Sequence, residues 1–374
     1  MLTHFYADNF RSLVNFELKL DRLNLLMGSN GTGKSSVFEV LRRIQAFVAG
    51  DLRLHEAFPP QDRTRWVDRQ EQEFSITLSL NDAALGNPRI RYQLVIEHDW
   101  DGKRCRVKKE ELTNSGSQLF SFTNGEVHLR RDDSGVGPVY PYDWTLSGLA
   151  AIQARSDNKL LSAFKKSLAG FVIASIIPSQ METESREEAD GLDRNMTNFV
   201  SWYRRLSHEN MGATSRLFNE LKDVIPGFQS FNFKTVAEST KSLSVTFDKS
   251  EAGQKLQFGF GELSDGQRVL IALYTLIHGL KGEGLSLFLD EPDNYVALRE
   301  IQPWLSALCD ESGENFEQAV LISHHPEIIN HMGATLGKWF TREGTGPSRI
   351  SDEAPTPTEG LTLAETIARG WEEL

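Results

Sequence analysis

The stretch LNLLMGSNGTGKSSVFEVLRRIQAFV, residues 23–48, decides the fold of this chain. A short apolar run enters a glycine-rich segment, and apolar residues at helical spacing follow it. This order predicts a strand, a loop and a helix. Residues 28–35 fit the pattern GxxxxGK[ST], in which glycines let backbone N–H groups surround a phosphate. The sequence therefore predicts an α/β protein with a phosphate-binding loop.

Each residue type in this loop has a chemical role in nucleotide binding. The lysine, Lys34, is expected to reach the β- and γ-phosphates, and the hydroxyl of Ser35 is expected to bind Mg²⁺. We expect ATP as the ligand. Its contacts would come from Gly28, Ser29, Asn30, Gly31, Thr32, Gly33, Lys34, Ser35 and Ser36.

A second motif, LSLFLDE at residues 285–291, predicts a buried strand that ends in two carboxylates. Asp290 is suited to the metal shell. Glu291 is suited to polarise the water that attacks the γ-phosphate. Either acid alone is also typical of a strand-end cap, but the pair after an apolar run favours the catalytic interpretation.

A third motif, LSDGQ at residues 263–267, stands before an apolar helix. The amides at a helix N-terminus face an anion favourably, so this segment predicts a second phosphate contact. A simple helix cap is the alternative. The residues concerned are Ser264, Asp265, Gly266 and Gln267.

LSDGQ resembles the signature loop LSGGQ of ABC-type ATPases, and its place shortly before the DE strand matches the order in that superfamily. Residues 294–297 then fall at the D-loop. His324 falls at the switch histidine, with His325 as the alternative. At the third position, Asp265 stands where LSGGQ has a glycine.

Within the superfamily, the NFRS segment at residues 9–12 and the wide separation between Lys34 and Ser264 resemble RecF- and SMC-type ATPases and the ATPase domains of overcoming-lysogenisation-defect proteins. Transporter ATPases are less similar, because their intervening segment is shorter and helical. The resemblance implies an ATP-hydrolysing head with an inserted antiparallel β arm and a helical subdomain. It also implies a homodimer in which each signature loop completes the partner's site. Catalysis would involve Lys34, Glu291 and His324.

The Q-loop glutamine of that superfamily has two candidates in this sequence. Gln153 and Gln180 both follow suitable elements, and Gln153 is slightly preferred as a third metal contact beside Ser35 and Asp290. Asn9 and Arg11 of the NFRS segment approach the nucleotide if the resemblance extends to them. A strand-edge role is the alternative for both.

The same patterns predict the domain organisation. We expect residues 1–50 and 228–342 to form the ATPase head and residues 51–144 a strand-rich arm. A mainly helical subdomain would cover residues 145–227. Residues 343–374 would be a linker and an amphipathic helix with Leu363, Ile367, Trp371 and Leu374 on one face. This helix packs on its own domain or docks a partner.

Composition narrows the range of partners. The 374 residues carry a net charge of −12, which argues against a surface that binds nucleic acid everywhere. No apolar run is long enough to cross a bilayer, and the N-terminus does not resemble a signal peptide, so a cytoplasmic protein without membrane contact is expected. The two cysteines, Cys105 and Cys309, predict neither a disulfide framework nor a zinc site.

Two functional hypotheses follow. The first is an ATP-gated switch in prokaryotic DNA repair or antiphage defence, acting with a separate effector protein or on DNA. The second is an ATP-dependent scaffold that holds a toxin or nuclease inactive without binding DNA. A direct DNA contact would use basic residues in the strand-rich segment, which otherwise form a solvated face. They are Lys103, Arg104, Arg106, Lys108, Lys109, Arg130 and Arg131.

Overall fold

A computed structural model describes residues 1–99, 104–248, 255–279, 285–351 and 360–369. The chain forms two compact units. The first contains the described residues up to Phe171 and the strands that begin at Gly337. The second contains the described residues from Val172 to Leu336 and the C-terminal helix.

An eight-stranded antiparallel sheet makes up much of the first unit. Its order is β2-β1-β4-β5-β6-β7-β8-β9. The strands are β1 (Leu2–Asp8), β2 (Phe16–Lys19), β4 (Glu71–Ser79), β5 (Arg89–His98), β6 (Cys105–Asn114), β7 (Ser117–Thr123), β8 (Glu126–Arg130) and β9 (Val136–Pro141). β4 pairs with β1 from Leu2–Leu78 to Asp8–Glu73. The strand-rich segment expected as an arm therefore continues the N-terminal hairpin in one sheet.

Alternation of apolar and polar residues explains the sheet. Ile90, Tyr92 and Leu94 of β5 are fully buried, whereas the residues between them are exposed or half-buried. Period-two burial of this kind is the pattern of a sheet with one face in the core. Two helices contact this sheet: α2 (Leu54–Ala57) lies against β6, and α3 (Lys159–Ala169) lies against β7.

A second strand group in the first unit joins distant parts of the sequence. It consists of β3 (Leu23–Met27), β17 (Gly337–Thr341) and β18 (Arg349–Ser351). β17 runs parallel to β3, with Trp339 opposite Met27, and pairs antiparallel with β18. Helix α1 (Lys34–Ala49) follows β3 after the glycine-rich loop. The strand, loop and helix predicted from residues 23–48 are confirmed.

A buried ion-pair network fixes α1 within this unit. Glu39 accepts hydrogen bonds from Arg42 (2.9 Å) and from Arg43 (2.7 Å) on the next turn. Arg43 also donates to Asp62 (2.6 Å) and to the carbonyl of Ala57 (2.9 Å). Burial works to raise the pKa of Glu39, but hydrogen bonds from the two arginines bring it down to about 2.

In the second unit, two parallel strands are buried on both faces. They are β15 (Ser286–Asp290) and β16 (Gln318–Ile322), paired in register from Ser286–Gln318 to Asp290–Ile322. β10 (Phe171–Ala174) lies on the other side of β15. Continuous apolar strands of this kind occur in parallel sheets covered by helices. The helices of this part are α6 (Asp265–His278), α7 (Leu298–Asp310) and α8 (Pro326–Leu336).

An antiparallel sheet and two helices complete the second unit. Its strands are β11 (Glu184–Ser185), β12 (Phe228–Thr235), β13 (Lys241–Asp248) and β14 (Lys255–Gly259). α4 (Phe199–Glu209) and α5 (Met211–Val224) pack on it. The ring of Tyr203 on α4 contacts Phe231 (5.1 Å between ring centroids) and Phe233 (6.1 Å). Between residues 145 and 227 the structure thus describes α3, α4 and α5, with β10 and β11 between α3 and α4.

The C-terminal helix packs on its own unit. α9 (Leu363–Ala368) contacts α8, and the Ala364 N–H donates to the side chain of Asn330 at 3.0 Å. Leu363 is buried as expected, and Ile367 is half-buried. Trp371 and Leu374 lie outside the described residues. Among the helices that the structure describes, none combines the length and apolar character needed to cross a bilayer.

We expect Glu39→Gln to destabilise the fold at neutral pH by about 1–3 kcal/mol, because the buried arginines lose a charged partner. The folded pKa of Glu39 is lowered, so the contribution of its charge is present above the unfolded value of 4.5 and is lost as pH falls towards about 2. Urea unfolding of both proteins at pH 7 and pH 3 measures this. The difference should shrink at pH 3.

The exposed Glu126→Gln is the matched control, for which little change is expected at either pH. A Glu39→Gln effect of the same size at pH 7 and pH 3 would show that packing, and not the charge, stabilises α1.

Candidate functional site

The glycine-rich loop adopts a conformation that its glycines permit. Gly28, Gly31 and Gly33 have φ of 133°, 81° and 101°, in the left-handed region that side chains with a Cβ rarely adopt. A Cβ on Gly28 would overlap the carbonyl oxygen of Phe340 on β17. A Cβ on Gly33 would come within 2.6 Å of the Ser348 hydroxyl. Glycine at 28 and 33 thus allows the loop to pack tightly on its own unit.

Lys34 directs its ammonium group into the loop. Its Nζ donates to the carbonyl oxygens of Gly28 (2.6 Å) and Ser29 (3.0 Å), and the residue is buried. Thr32 closes the loop through its hydroxyl, which donates to the Ser29 carbonyl at 2.8 Å. Ser35, in the first turn of α1, is exposed. The loop therefore presents a fixed cation and an accessible hydroxyl next to a helix N-terminus.

An arginine that the sequence motifs do not indicate holds this loop in place by hydrogen bonds. Arg342, directly after β17, donates to the carbonyl of Gly31 at 2.9 Å. It also donates to the carbonyls of Gly346 (2.6 Å) and Thr345 (2.8 Å). No motif surrounds Arg342, and it lies near the opposite end of the sequence from the loop, so only the pairing of β3 with β17 reveals it.

Asn9 and Arg11 of the NFRS segment differ in their surroundings. The Asn9 side chain is buried and donates to the carbonyls of Arg69 (2.9 Å) and Glu71 (2.8 Å), which is the structural role named as the alternative. The Arg11 guanidinium is 42% exposed and donates to Asp62 at 2.9 Å. Of the two, Arg11 is the one that an anion in solvent can approach.

In the second unit, the parallel register of β15 and β16 brings the acidic pair next to the histidines. Asp290 pairs with Ile322, and the N–H of Glu291 donates to the Ile322 carbonyl at 2.8 Å. Glu291 has φ of 51°, an uncommon value for a residue with a side chain. The Asn294 amide donates to its carboxylate at 2.9 Å. Strain of this kind is concentrated at functional sites.

The two histidines after β16 have different roles in the fold. The ring Nδ1 of His325 accepts a hydrogen bond from the Glu327 N–H at 3.2 Å. The backbone N–H of His325 donates to the Ser323 hydroxyl at 2.9 Å. His325 therefore takes part in starting α8. His324 is exposed at the carboxyl end of β16.

The signature segment forms a complete capping box. The Gln267 N–H donates to the Ser264 hydroxyl at 3.3 Å, and the Gln267 side chain accepts the Ser264 N–H at 3.1 Å. Asp265 pairs with Arg268 at 2.5 Å, so its negative charge has a cation beside it. A Cβ on Gly266 would stand 2.7 Å from the Tyr295 carbonyl. Glycine at position 266 therefore lets the start of α6 pack closely against the segment of residues 294–297.

The candidate Q-loop glutamines lie in different units. Gln153 is exposed in the segment before α3, and its carbonyl accepts the Asn158 amide at 3.0 Å. Gln180 ends a short 3₁₀ turn soon after β10, the strand beside β15. Its side chain accepts the Asn195 amide at 2.8 Å. Gln180 thus follows a neighbour of the strand that carries Asp290.

Comparison with known proteins identifies the architecture. No protein-family model matches the chain, and no curated protein matches it. An SMC head solved in complex with the C-winged helix domain of ScpA is similar, with a TM-score of 0.55 and 13% identity over 94% of this chain and 97% of that one. The chain has the fold of an SMC head. The SMC head domain from Thermotoga maritima also matches, with a TM-score of 0.48 and 15% identity over 94% of this chain and 98% of that one.

The SMC-head fold agrees with the expected α/β fold of a P-loop head. At the level of the fold, it also agrees with the SMC-type resemblance drawn from the motifs. The roles of the individual residues are not tested by this likeness, because identity is low throughout. The assignments of Lys34, Asp290, Glu291 and His324 therefore stay predictions.

The basic strand residues of this SMC-head fold are partly neutralised. Arg106 pairs with Glu97 (2.6 Å), Lys109 pairs with Glu111 (2.8 Å) and Lys108 pairs with Glu71. Arg131 lies 3.8 Å from Asp157. Lys103 lies outside the described residues. Acidic partners weaken the attraction of such a surface for phosphates, which favours the interpretation as a solvated face.

We expect Gly28→Ala to destabilise the protein more than Gly31→Ala. Both substitutions place a Cβ at positive φ, which costs about 1–2 kcal/mol. Only at Gly28 does the new atom meet backbone, whereas nothing lies within 4 Å of a Cβ on Gly31. Thermal unfolding of the two variants checks this directly. Equal melting temperatures would show that the loop does not approach β17 as closely as described.

Proposed function

We propose that this protein binds ATP with Mg²⁺ on residues 28–36 and hydrolyses it when two heads meet. The loop itself carries the proposal: a strand, a turn with three glycines at positive φ, a buried lysine directed into the turn, and a helix. Backbone N–H groups at such a helix N-terminus bind phosphates, and Lys34 supplies a cation for the β- and γ-oxygens. The SMC-head fold supports the same conclusion.

The residues proposed for the metal suit Mg²⁺. This ion prefers hard oxygen ligands, and the exposed hydroxyl of Ser35 and the carboxylate of Asp290 at the end of β15 are of that kind. When bound, Mg²⁺ neutralises charge on the β- and γ-phosphates. The remaining chemistry belongs to the side chains of this chain.

Glu291 is the proposed general base. Its carboxylate is held by the Asn294 amide, so it keeps one orientation from which to accept a proton from water. His324, exposed at the end of the neighbouring strand, would hydrogen-bond the γ-phosphate as charge develops there. The in-register pairing of β15 and β16 sets the separation between these two groups.

For the Q-loop, we favour Gln180 over Gln153. Ligands of α/β proteins bind beyond the carboxyl ends of the strands. Gln180 comes a few residues after the carboxyl end of β10, which neighbours the Asp290 strand, whereas Gln153 follows β9 of the eight-stranded sheet. Gln180 is therefore the better candidate for a contact with metal or water.

We propose that the signature loop acts on a second copy of this chain. Ser264 is exposed, and it caps the N-terminus of α6. In the mechanism implied by the ABC resemblance, this loop closes over the γ-phosphate of the partner head. The Asp265–Arg268 ion pair reduces the repulsion that a lone carboxylate would exert on that phosphate.

The biological setting that we propose is prokaryotic DNA maintenance or antiphage defence with a separate effector chain, in the cytoplasm. The similar SMC head was solved with a domain of another protein, which supports a partner chain here. Direct DNA binding has less support, because three of the basic strand residues are paired with acids. Measuring DNA affinity as a function of salt concentration, with and without ATP, tests whether the protein binds DNA directly.

Glu291→Gln is the sharpest test of catalysis. The amide keeps the size of the carboxylate but cannot accept the proton, so hydrolysis should fall by a factor of about 10² to 10⁴. ATP should still bind and hold two heads together. Gel filtration with light scattering should show a larger assembly with MgATP and no change with ADP.

Two outcomes would contradict this. Hydrolysis at the wild-type rate would mean that Glu291 is not the base. Lost hydrolysis with the same mass in ATP, ADP and no nucleotide would favour a preassembled scaffold over an ATP-gated dimer.

A mixing experiment tests whether sites are shared between two heads. Ser264→Arg places a bulky cation in the signature loop, and Lys34→Ala removes the phosphate-binding cation, so each variant alone should be inactive. A mixed dimer has one composite site with both defects and one with neither. We therefore expect ATPase activity to reappear partially in the mixture.

The formation of mixed dimers is verified with two affinity tags. If they form and stay inactive, either catalysis is not shared between heads or the two sites act only together.

A further inference from the structure

Asp293 is an acidic side chain of the second unit that the proposed chemistry does not use. It lies in the turn that follows β15 and begins with Glu291. Its carboxylate oxygen Oδ1 is enclosed, and no described residue hydrogen-bonds that atom. Burial raises the pKa of Asp293, and the nearby charge of Glu291 acts in the same direction. A carboxylate in such surroundings depends strongly on the partners that it does have.

The side-chain partner of this carboxylate is Ser323. Its hydroxyl donates to Asp293, and the serine is buried directly after β16. The same hydroxyl accepts the backbone N–H of His325 at 2.9 Å. Both bonds can form together, because a hydroxyl donates one hydrogen and accepts through its lone pairs. A continuous chain of hydrogen bonds therefore runs from Asp293 through Ser323 to the backbone of His325.

This chain of bonds holds the backbone on both sides of His324. The register of β15 with β16 ends at the pair Asp290–Ile322. Ser323 and His325, which flank His324, lie beyond that pair. The bond from Ser323 to Asp293 therefore continues the connection between the two strand ends past the last pair of the ladder.

The turn that carries Asp293 also holds Glu291. The Asn294 amide donates to the Glu291 carboxylate at 2.9 Å, and the Val296 N–H donates to the Asp293 carbonyl at 3.0 Å. One turn thus fixes the proposed general base directly, and it fixes the histidine segment through Ser323. Groups that act on one substrate need such fixed relative positions.

We propose that Asp293 is a positioning residue for His324 and that it acts through the Ser323 hydroxyl. This inference rests on the proposed role of His324 in ATP hydrolysis. Asp293 itself touches neither nucleotide nor metal in this proposal. Its loss should therefore change the rate of hydrolysis and leave the affinity for MgATP as it is.

The test compares substitutions at the two ends of the bond in the full chain. Asp293→Ala should lower kcat for ATP hydrolysis by about 10- to 100-fold, as expected when a catalytic group moves by about 1 Å. Ser323→Ala should cause a similar loss. Asp293→Asn keeps an oxygen that accepts the hydroxyl, and Ser323→Thr keeps the hydroxyl, so both should retain most of the activity. Calorimetry should give the wild-type affinity for MgATP in all four variants.

A double-mutant cycle separates positioning from a general effect on the fold. If Asp293 acts through His324, Asp293→Ala should cost little further activity in a His324→Ala background, because the group that it positions is already missing. A weakened fold would lower kcat by the same factor in both backgrounds.

Asp143→Ala is the matched control. Asp143 also accepts a hydroxyl, that of Thr145 at 2.9 Å, but it belongs to the strand-rich segment. We expect wild-type kcat for this variant. If Asp293→Ala does not fold, the contrast between Ser323→Ala and Ser323→Thr tests the same bond, and it should again show activity only where the hydroxyl is kept.

The outcomes separate this inference from the proposed function. Hydrolysis by His324→Ala at the wild-type rate would contradict the proposed role of the histidine and overturn this inference with it. If His324→Ala is slow while Asp293→Ala and Ser323→Ala hydrolyse at the wild-type rate, the proposed function stands and the positioning role is overturned. Losses that multiply in the double variant would also overturn it, because Asp293 would then act independently of His324.

Discussion

The close approach of Gly28 to the Phe340 carbonyl is the contact on which the phosphate loop depends. β3 and β17 come from opposite ends of the sequence, and parallel strands can pair only when a long connection returns the chain to the same direction. Once they pair, a residue with a Cβ at position 28 would collide with the backbone of β17. Position 28 therefore requires glycine both for its positive φ and for its close contact with β17.

Several features of the first unit follow from this pairing. Arg342 is delivered to the Gly31 carbonyl because β17 ends beside the loop. Ser348 comes to lie against Gly33 and donates to the Ser12 hydroxyl at 2.8 Å. Arg342 and Ser348, both distant from the loop in sequence, therefore pack against it and support it. A loop with this support keeps its N–H groups oriented before ligand binding, which lowers the entropic cost of binding.

In the second unit, strand pairing fixes the position of Glu291. In-register parallel strands bring Glu291 beside the end of β16, and its backbone is held at positive φ by the bond to Ile322. An acidic residue before proline does not favour this conformation by itself. The Asn294 side chain and the buried strands on both sides stabilise it. The result is a carboxylate fixed at a strand end, the position proposed for the general base.

The sequence by itself determined the motifs and their local structure. GSNGTGKSS between an apolar run and a helical pattern, LFLDE at a strand end, and LSDGQ at a helix start each carry a short-range physical signal, because turn, strand and cap preferences act over a few residues. The tertiary structure decided what long-range pairing controls. It placed the strand-rich segment in one sheet with the N-terminal hairpin, gave Asn9 a buried structural role, and paired Lys108 and Lys109 with acids. It also brought Arg342 to the loop and placed its guanidinium over the Trp66 ring, since no local pattern specifies which distant strand lies beside β3.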